Sequence, residues 1–224
     1  MLIHLFSIII YCYGGVAEWL KAHDSKSCIP LVGNRGFKSH PLRAKNMRAF
    51  VAFEIPEEIK VKVAKTLQDK KTHIKGVKWV EPENLHITCK FLGEVSDELI
   101  NELVSELESN LQKGERVRVK ISGAGAFPDS RKPRVLWLGV EGETEKLQKI
   151  WEVVENSASK LKIGEPERNY IPHLTIGRVK IPITIDKNLF NLTTDEFVIT
   201  YLTLFQSTLT PSGPIYKKIR DIKL

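Results

Sequence analysis

Two matching segments decide the fold of this chain: LHITCKFL at residues 85–92 and IPHLTIGRV at residues 171–179. Both show the period-two alternation of apolar and polar residues that predicts a β-strand. Because side chains on a strand alternate between its two faces, residues two apart point the same way. The histidine and the threonine of each segment are therefore predicted to share one face, while the apolar residue between them is buried.

The same order of elements surrounds both segments. Arg48–Ile55 is predicted to form a strand, and a helix that begins near Pro56 separates it from the first H-x-T strand. Arg134–Val140 is predicted to form a second such strand, and an amphipathic helix over Glu143–Leu161 separates it from the second H-x-T strand. This recurrence predicts an α+β, bilobal fold of two pseudo-symmetric lobes, with the active-site cleft between them.

The remaining predicted elements are one helix and three strands, at Ser96–Gln112, Val117–Phe127, Phe197–Leu209 and Ile215–Lys223. Strands outnumber the helices between them. Mainly antiparallel sheets are therefore predicted, rather than a doubly wound parallel sheet.

His86, Thr88, His173 and Thr175 are the residues best suited to carry chemistry, and residues 47–224 contain only one other histidine. If the two lobes face each other, both imidazoles and both hydroxyls converge on one cleft. Threonine hydroxyls can donate hydrogen bonds to the non-bridging oxygens of a phosphodiester, while one imidazole takes a proton from water and the other protonates the leaving oxygen. An unperturbed histidine titrates at about 6.5, so a neutral and a protonated copy are expected to coexist near neutral pH.

Composition limits the other functions that are open to the chain. Its formal charge of +7 is uneven: residues 1–46 hold six basic and two acidic residues, and residues 47–224 hold 28 basic and 25 acidic residues. That small excess argues against a broad basic surface that grips long nucleic acid. The three cysteines form no C-x-x-C pair, which argues against a disulfide framework and a zinc site and favours a reducing compartment, the cytoplasm. No metal is predicted.

Residues 1–46 differ from the rest of the chain. The apolar stretch at 1–13 is too short to span a bilayer as a helix, and no cleavage motif of a signal peptide follows it. Codons for Gly36-Phe37-Lys38-Ser39 can resemble the T-arm of a tRNA gene. We therefore expect residues 1–46 to be a non-native segment from readthrough of a neighbouring tRNA gene, with the true start at Met47; the alternative is a genuine disordered extension.

Residues 47–224 resemble the two-histidine (2H) phosphoesterases, specifically the RNA 2′,3′-cyclic phosphodiesterase and 2′–5′ RNA ligase family. The resemblance rests on RAFVAFEIP at 48–56, WVEPENLHITCKFLGEV at 79–95, RVLWLGV at 134–140 and IPHLTIGRV at 171–179. It implies hydrolysis of a terminal 2′,3′-cyclic phosphate of RNA, tRNA fragments among the candidates, to a 2′-phosphomonoester. It also implies a monomer without metal or cofactor, with His86 as proton donor and His173 as proton acceptor.

Other residues are weaker candidates. On an ideal strand Arg178 does not share the face of His173, unless a bulge at Gly177 re-aims it. Arg178 is explained equally well as a contact for the substrate phosphate and as an ordinary solvated arginine. Phe91 and the tryptophans Trp79 and Trp137 can stack a base, although aromatic residues on apolar strands are mostly core residues.

Two other functions stay open. The same histidines would serve the reverse reaction, in which a 2′–5′ RNA ligase joins tRNA halves. A non-catalytic protein that binds RNA ends or nucleotides is the second alternative, although binding alone does not require an acid–base pair. A metallophosphoesterase is disfavoured because residues 47–224 lack Asp and His at metal-ligand spacing.

A chain that begins at Met47 is expected to fold and to turn over substrate like the full chain, because the recurring pattern is complete without residues 1–46. Circular dichroism melting and activity of the two proteins, compared side by side, test this. Aggregation of the shorter protein beside a well-behaved full chain would contradict it.

Overall fold

The computed structural model describes residues 46–186, 190, 192–211 and 213–224. The prediction about residues 1–46 lies outside these ranges, apart from residue 46, and stays a prediction. The described residues all belong to one compact unit, Ala44–Leu224. Within them, no helix has both the length and the apolar character needed to cross a membrane.

The described residues form three α-helices, a short 3-10 turn and nine strands. In chain order these are β1 Met47–Glu54, α1 Glu57–His73, β2 Val77–Trp79, the 3-10 turn Pro82–Asn84, β3 His86–Val95, α2 Asp97–Asn110, β4 Val117–Phe127, β5 Val135–Gly142, α3 Thr144–Lys160, β6 His173–Val179, β7 Phe197–Ile199, β8 Tyr201–Leu209 and β9 Pro214–Lys223. Every predicted helix and strand is therefore present, with bounds that shift by at most three residues, and the strand predicted at Phe197–Leu209 is divided into β7 and β8.

The strands form one sheet in the order β7-β4-β5-β6-β3-β1-β8-β9, and β2 pairs with β6. All of these strand pairings are antiparallel, as predicted. The sheet has a first half (β3, β1, β8, β9) and a second half (β6, β5, β4, β7). Each half has its H-x-T strand innermost, so the two motifs are neighbours at the middle of the sheet.

One face of the sheet carries the hydrophobic core. Val51 and Phe53 of β1 point to that face together with Leu136 and Leu138 of β5, and none of them is more than 1% exposed. All three helices contribute apolar side chains to this same cluster. Ser96 caps the N-terminus of α2, because its hydroxyl accepts a hydrogen bond from the backbone N–H of Leu99.

A buried ion pair ties the core to the segment before β6. Lys90 of β3 is 1% exposed, and its Nζ lies 2.6 Å from Glu155 Oε2 of α3. Lys90 also donates a hydrogen bond to the carbonyl of Glu165, and Glu155 accepts one from the backbone N–H of Glu167. Because a buried charge is costly without a partner, this network holds residues 165–167 against β3.

Candidate active site

The site is organised by a single cross-strand pair at the middle of the sheet. Ile87 of β3 is paired with Leu174 of β6, and both side chains are fully buried in the core. In the same antiparallel register, His86 lies across from Thr175, and Thr88 lies across from His173. All four side chains point to the face opposite the core, where they are partly exposed. The predicted convergence of the two motifs is thus present in the fold.

Each imidazole is held by a backbone carbonyl two residues before it. His86 Nδ1 is 2.7 Å from the carbonyl oxygen of Asn84, and His173 Nδ1 is 2.7 Å from that of Ile171. A carbonyl oxygen only accepts hydrogen bonds, so Nδ1 is the protonated nitrogen in both rings. The lone pair of a neutral imidazole is then on Nε2, which is left available for proton transfer.

Burial lowers the pKa of both histidines. Loss of solvation is the main cause for His86 and takes its pKa down to about 4, although the hydrogen bond to Asn84 opposes the change. Positive charge on Arg178, His173 and Lys60 lowers it further. The pKa of His173 is lowered by burial and by Arg178. The expectation of an ordinary value near 6.5 is therefore wrong for both histidines, because burial disfavours the charged imidazolium form.

A bulge lies next to Gly177, which is the condition under which Arg178 can share the face of His173. Leu136 of β5 pairs with Gly177, and Trp137 pairs with Thr175, so Ile176 is the extra residue. This extra residue shifts the alternation by one, which brings Arg178 onto the face that carries His173. A Cβ at Gly177 would lie only 2.6 Å from the Val77 side chain, so the close approach of β2 requires glycine there.

Arg178 is exposed and lies within electrostatic range of both histidines, since its charge lowers both pKa values. Within the described residues, no carboxylate forms an ion pair with it, and neither Thr88 nor Thr175 uses its hydroxyl in a hydrogen bond. The cation and the two hydroxyls therefore all remain open to an anionic ligand.

The first H-x-T strand has a matching bulge. Val51 of β1 pairs with Lys90, and Ala52 pairs with Thr88, so Cys89 is the extra residue. Lys90 consequently points into the core, and Phe91 is on the same face as His86 with 45% of its surface exposed. The residue five positions after the histidine is thus a cation in one half of the sheet and an exposed aromatic ring in the other.

An aromatic cluster surrounds His86. The ring of Phe50 lies 4.9 Å from that of His86, and the rings of Phe205, Tyr216 and Phe91 lie 5.2, 4.9 and 6.2 Å from Phe50. Tyr216 also meets the His86 ring edge-on at 5.3 Å. Sequence reasoning missed Phe205 and Tyr216, because only the order of strands in the sheet brings β8 beside β1 and β9 beside β8.

His173 has its own aromatic neighbours, Phe127 at 5.2 Å and Trp137 at 6.1 Å. Trp137 was a candidate for base stacking, and it lies beside the site as that hypothesis requires. Trp79 does not: its ring packs against the core and lies 6.0 Å from the buried ring of Phe190. Trp79 is therefore a partly buried residue of β2 that packs against the core, as the general preference of strand aromatics predicts.

A cavity of about 370 Å³ opens beside His86. Its walls come from the ends of β1 and α1, the 3-10 turn, and the β8–β9 hairpin, and they include Glu54, Lys60, Glu83, Asn84, Phe205, Tyr216 and Lys218. Glu54 is neutralised in part, because Lys218 Nζ lies 2.6 Å from its carboxylate. Within the described residues, no three His, Cys, Asp or Glu side chains gather as a metal site would require.

Comparison with known protein families and sequences gives a consistent result. The family model described as LigT-like phosphoesterase matches residues 53–137. The chain is 41% identical over 183 residues to the RNA 2′,3′-cyclic phosphodiesterase of Methanocaldococcus jannaschii, which covers 78% of this chain and 99% of that protein. The enzyme of the same name from Methanothermobacter thermautotrophicus is 36% identical over 184 residues, or 80% and 99% of the two chains.

Solved structures share the fold. A crystal structure of a Thermus thermophilus protein has a TM-score of 0.69 and 26% identity, and covers 80% of this chain and 98% of that chain. The E. coli LigT protein in complex with 3′-AMP has a TM-score of 0.65 and 24% identity, and covers 80% of this chain and 98% of that chain.

In the ligand-free protein, His86 is expected to titrate at about pH 4 and His173 below its ordinary value, since burial disfavours both imidazolium ions. NMR titration of the imidazole Cε1–H resonances measures both midpoints, and a His86→Asn variant assigns the first by its disappearance. A midpoint for His86 at or above 6.5 would contradict the environment described for it.

Proposed function

The chain belongs to the LigT-like phosphoesterase family, and on that premise we propose that it hydrolyses the 2′,3′-cyclic phosphate at the end of an RNA to a 2′-phosphomonoester. The observation that carries the proposal is the central Ile87–Leu174 pair, which sets both H-x-T motifs on one face of the sheet. Relatives that are named RNA 2′,3′-cyclic phosphodiesterase, and of which this chain covers nearly the full length, support the same activity.

In the proposed reaction, the neutral His173 takes a proton from water through Nε2. The water oxygen attacks phosphorus and forms a new P–O bond, while the bond from phosphorus to the 3′ oxygen breaks on the opposite side. His86 donates its proton to that 3′ oxygen, which leaves as the free 3′ hydroxyl. The phosphate stays on the 2′ oxygen. At the end of the reaction His173 is protonated and His86 is neutral, the reverse of their starting states.

Because the pKa of His86 is lowered, the bound substrate is needed to favour the protonated form of His86 that acts as the acid. In the empty site His86 is neutral at neutral pH, because burial removes the water that would stabilise its charge. The cyclic phosphate carries one negative charge, and an anion beside an imidazole stabilises the imidazolium form. Substrate binding therefore raises the pKa of His86. The imidazole then takes up the proton that it later donates to the leaving 3′ oxygen.

The remaining substrate contacts follow from the same face of the sheet. Thr88 and Thr175 donate hydrogen bonds to the non-bridging phosphate oxygens, and Arg178 neutralises the charge that grows there. Phe91 stacks on the terminal base, since its exposed ring lies on the His86 side of the site.

The enzyme is proposed to act as a cytoplasmic monomer, and fragments of tRNA are among its candidate substrates. A single chain supplies both H-x-T motifs, so the site needs no residue from a second copy. Ligation of 2′–5′ ends would use the same groups in the reverse direction, and no feature of the site favours it over hydrolysis.

His86→Ala and His173→Ala are each expected to lower kcat by about 10²- to 10⁴-fold, the usual contribution of one general acid or base. The double variant should lose much less than the product of the two, because both groups act in one step. Thr88→Ala and Thr175→Ala should each cost about 1.5–3 kcal/mol of transition-state stabilisation, as for a hydrogen bond to a charged oxygen. Steady-state kinetics on an oligonucleotide with a cyclic phosphate end measures all five variants.

The two roles are separated by the leaving group. A better leaving group needs no proton, so it should partly rescue His86→Ala and leave His173→Ala unchanged. Rescue of His173→Ala alone would reverse the roles, and wild-type rates in either single variant would leave a binding protein as the better explanation.

Activity is expected to survive EDTA, because two imidazoles, two hydroxyls and Arg178 already supply the acid, the base and the charge stabilisation. Hydrolysis of the same oligonucleotide is measured before and after chelation, with a zinc-dependent phosphatase treated alongside as a positive control. Full loss of activity that Mg²⁺ or Mn²⁺ restores would overturn the mechanism.

A further inference from the structure

The cavity beside His86 and the ring of Phe91 lie in opposite directions from the site. Glu54 of β1 lines the cavity and is the cross-strand partner of His86 in β3. Phe50, four residues earlier in β1, is the cross-strand partner of Phe91. The cavity is therefore at the N-terminal end of β3, and Phe91 is five residues further along the strand. A ligand held at His86 has an aromatic surface on one side and an open cavity on the other.

The chemistry of the ribose matches these two directions. In a 2′,3′-cyclic nucleotide the base is attached to C1′, next to C2′, and the 5′ carbon is attached to C4′, next to C3′. With the cyclic phosphate held between the histidines, the base and the 5′ carbon leave the ribose at opposite ends of the C2′–C3′ bond. A base that stacks on Phe91 thus directs the 5′ oxygen, and the RNA chain before it, toward the cavity.

We propose that this cavity is the subsite for the penultimate nucleotide of the RNA, and that Lys60 binds the phosphodiester joining the last two nucleotides. The proposal rests on the proposed function and names a preference for oligonucleotides over cyclic mononucleotides. At about 370 Å³ the cavity falls within the range of small-ligand sites.

The charges around the cavity single out Lys60. Its side chain is 15% exposed, and its ion pair with the exposed Glu57 is a long 3.6 Å. The positive charge of Lys60 reaches the site, since it helps to lower the pKa of His86. Lys218 is instead held at 2.6 Å by Glu54 and at 3.2 Å by Asp221. A phosphodiester can therefore displace the weak Glu57 contact but not the stronger pairs of Lys218.

The polar walls suit the rest of a nucleotide. Glu54 and Glu83 are carboxylates and would repel a phosphate placed against them, so the phosphate is assigned to the Lys60 side. Hydroxyl and amino groups of the ribose and base can donate hydrogen bonds to these carboxylates. Tyr216 and Phe205 offer apolar ring edges to the same nucleotide.

The test compares two substrates that share the same reacting end: 2′,3′-cyclic AMP, and the dinucleotide ApA that ends in a 2′,3′-cyclic phosphate. The full chain is expected to hydrolyse the dinucleotide with a kcat/KM about tenfold higher, the size of one charge-assisted hydrogen bond. In Lys60→Met this ratio should fall to about one, and in Lys60→Arg it should be largely retained. Lys65→Met is the control, because it removes the same charge from an exposed position on the same helix.

The outcomes are distinct. A wild-type ratio near one, or an unchanged ratio in Lys60→Met, overturns the subsite while the proposed function stands. An equal loss on both substrates in Lys60→Met also overturns it, because it assigns Lys60 to the terminal nucleotide. A wild-type protein that hydrolyses neither substrate refutes the proposed function itself.

Discussion

The site depends on the pairing of Ile87 with Leu174, the only cross-strand pair between β3 and β6 within the described residues. Both residues are fully buried, so each stabilises the fold by about 1.5–3 kcal/mol of hydrophobic free energy. A slip of one residue in either strand would expose that residue and bury the histidine and threonine on each side of it. Core packing on one face of the sheet thereby fixes the catalytic geometry on the other.

The two bulges turn a repeated motif into an asymmetric site. Each bulge falls on the fourth residue of its motif, Cys89 or Ile176, and shifts the alternation by one residue. The fifth residue after each histidine then joins the face that carries the two histidines, where it is Phe91 in one half and Arg178 in the other. An asymmetric substrate, with a base at one end and a phosphate at the other, matches this difference between otherwise equivalent positions.

Burial has opposite consequences for the charged groups on the two faces. In the core, the buried Lys90 is paired with Glu155 at 2.6 Å, and the pair fixes the segment that leads into β6. On the opposite face, the positive charges of Arg178, His173 and Lys60 add to the effect of burial, and the pKa of His86 is lowered to about 4.

The sequence by itself determined the strands, the helices and the shared face of each His-x-Thr pair, because period-two alternation is a local signal, and Gly177 marked a place where a bulge was possible. Family resemblance added the expected roles of His86 and His173. Only the tertiary structure decided that the two motif strands are neighbours, that Phe205 and Tyr216 stand beside His86, and that Lys60 lines a cavity there. Strand order and desolvation arise from contacts between residues far apart in the chain, and no local pattern records them.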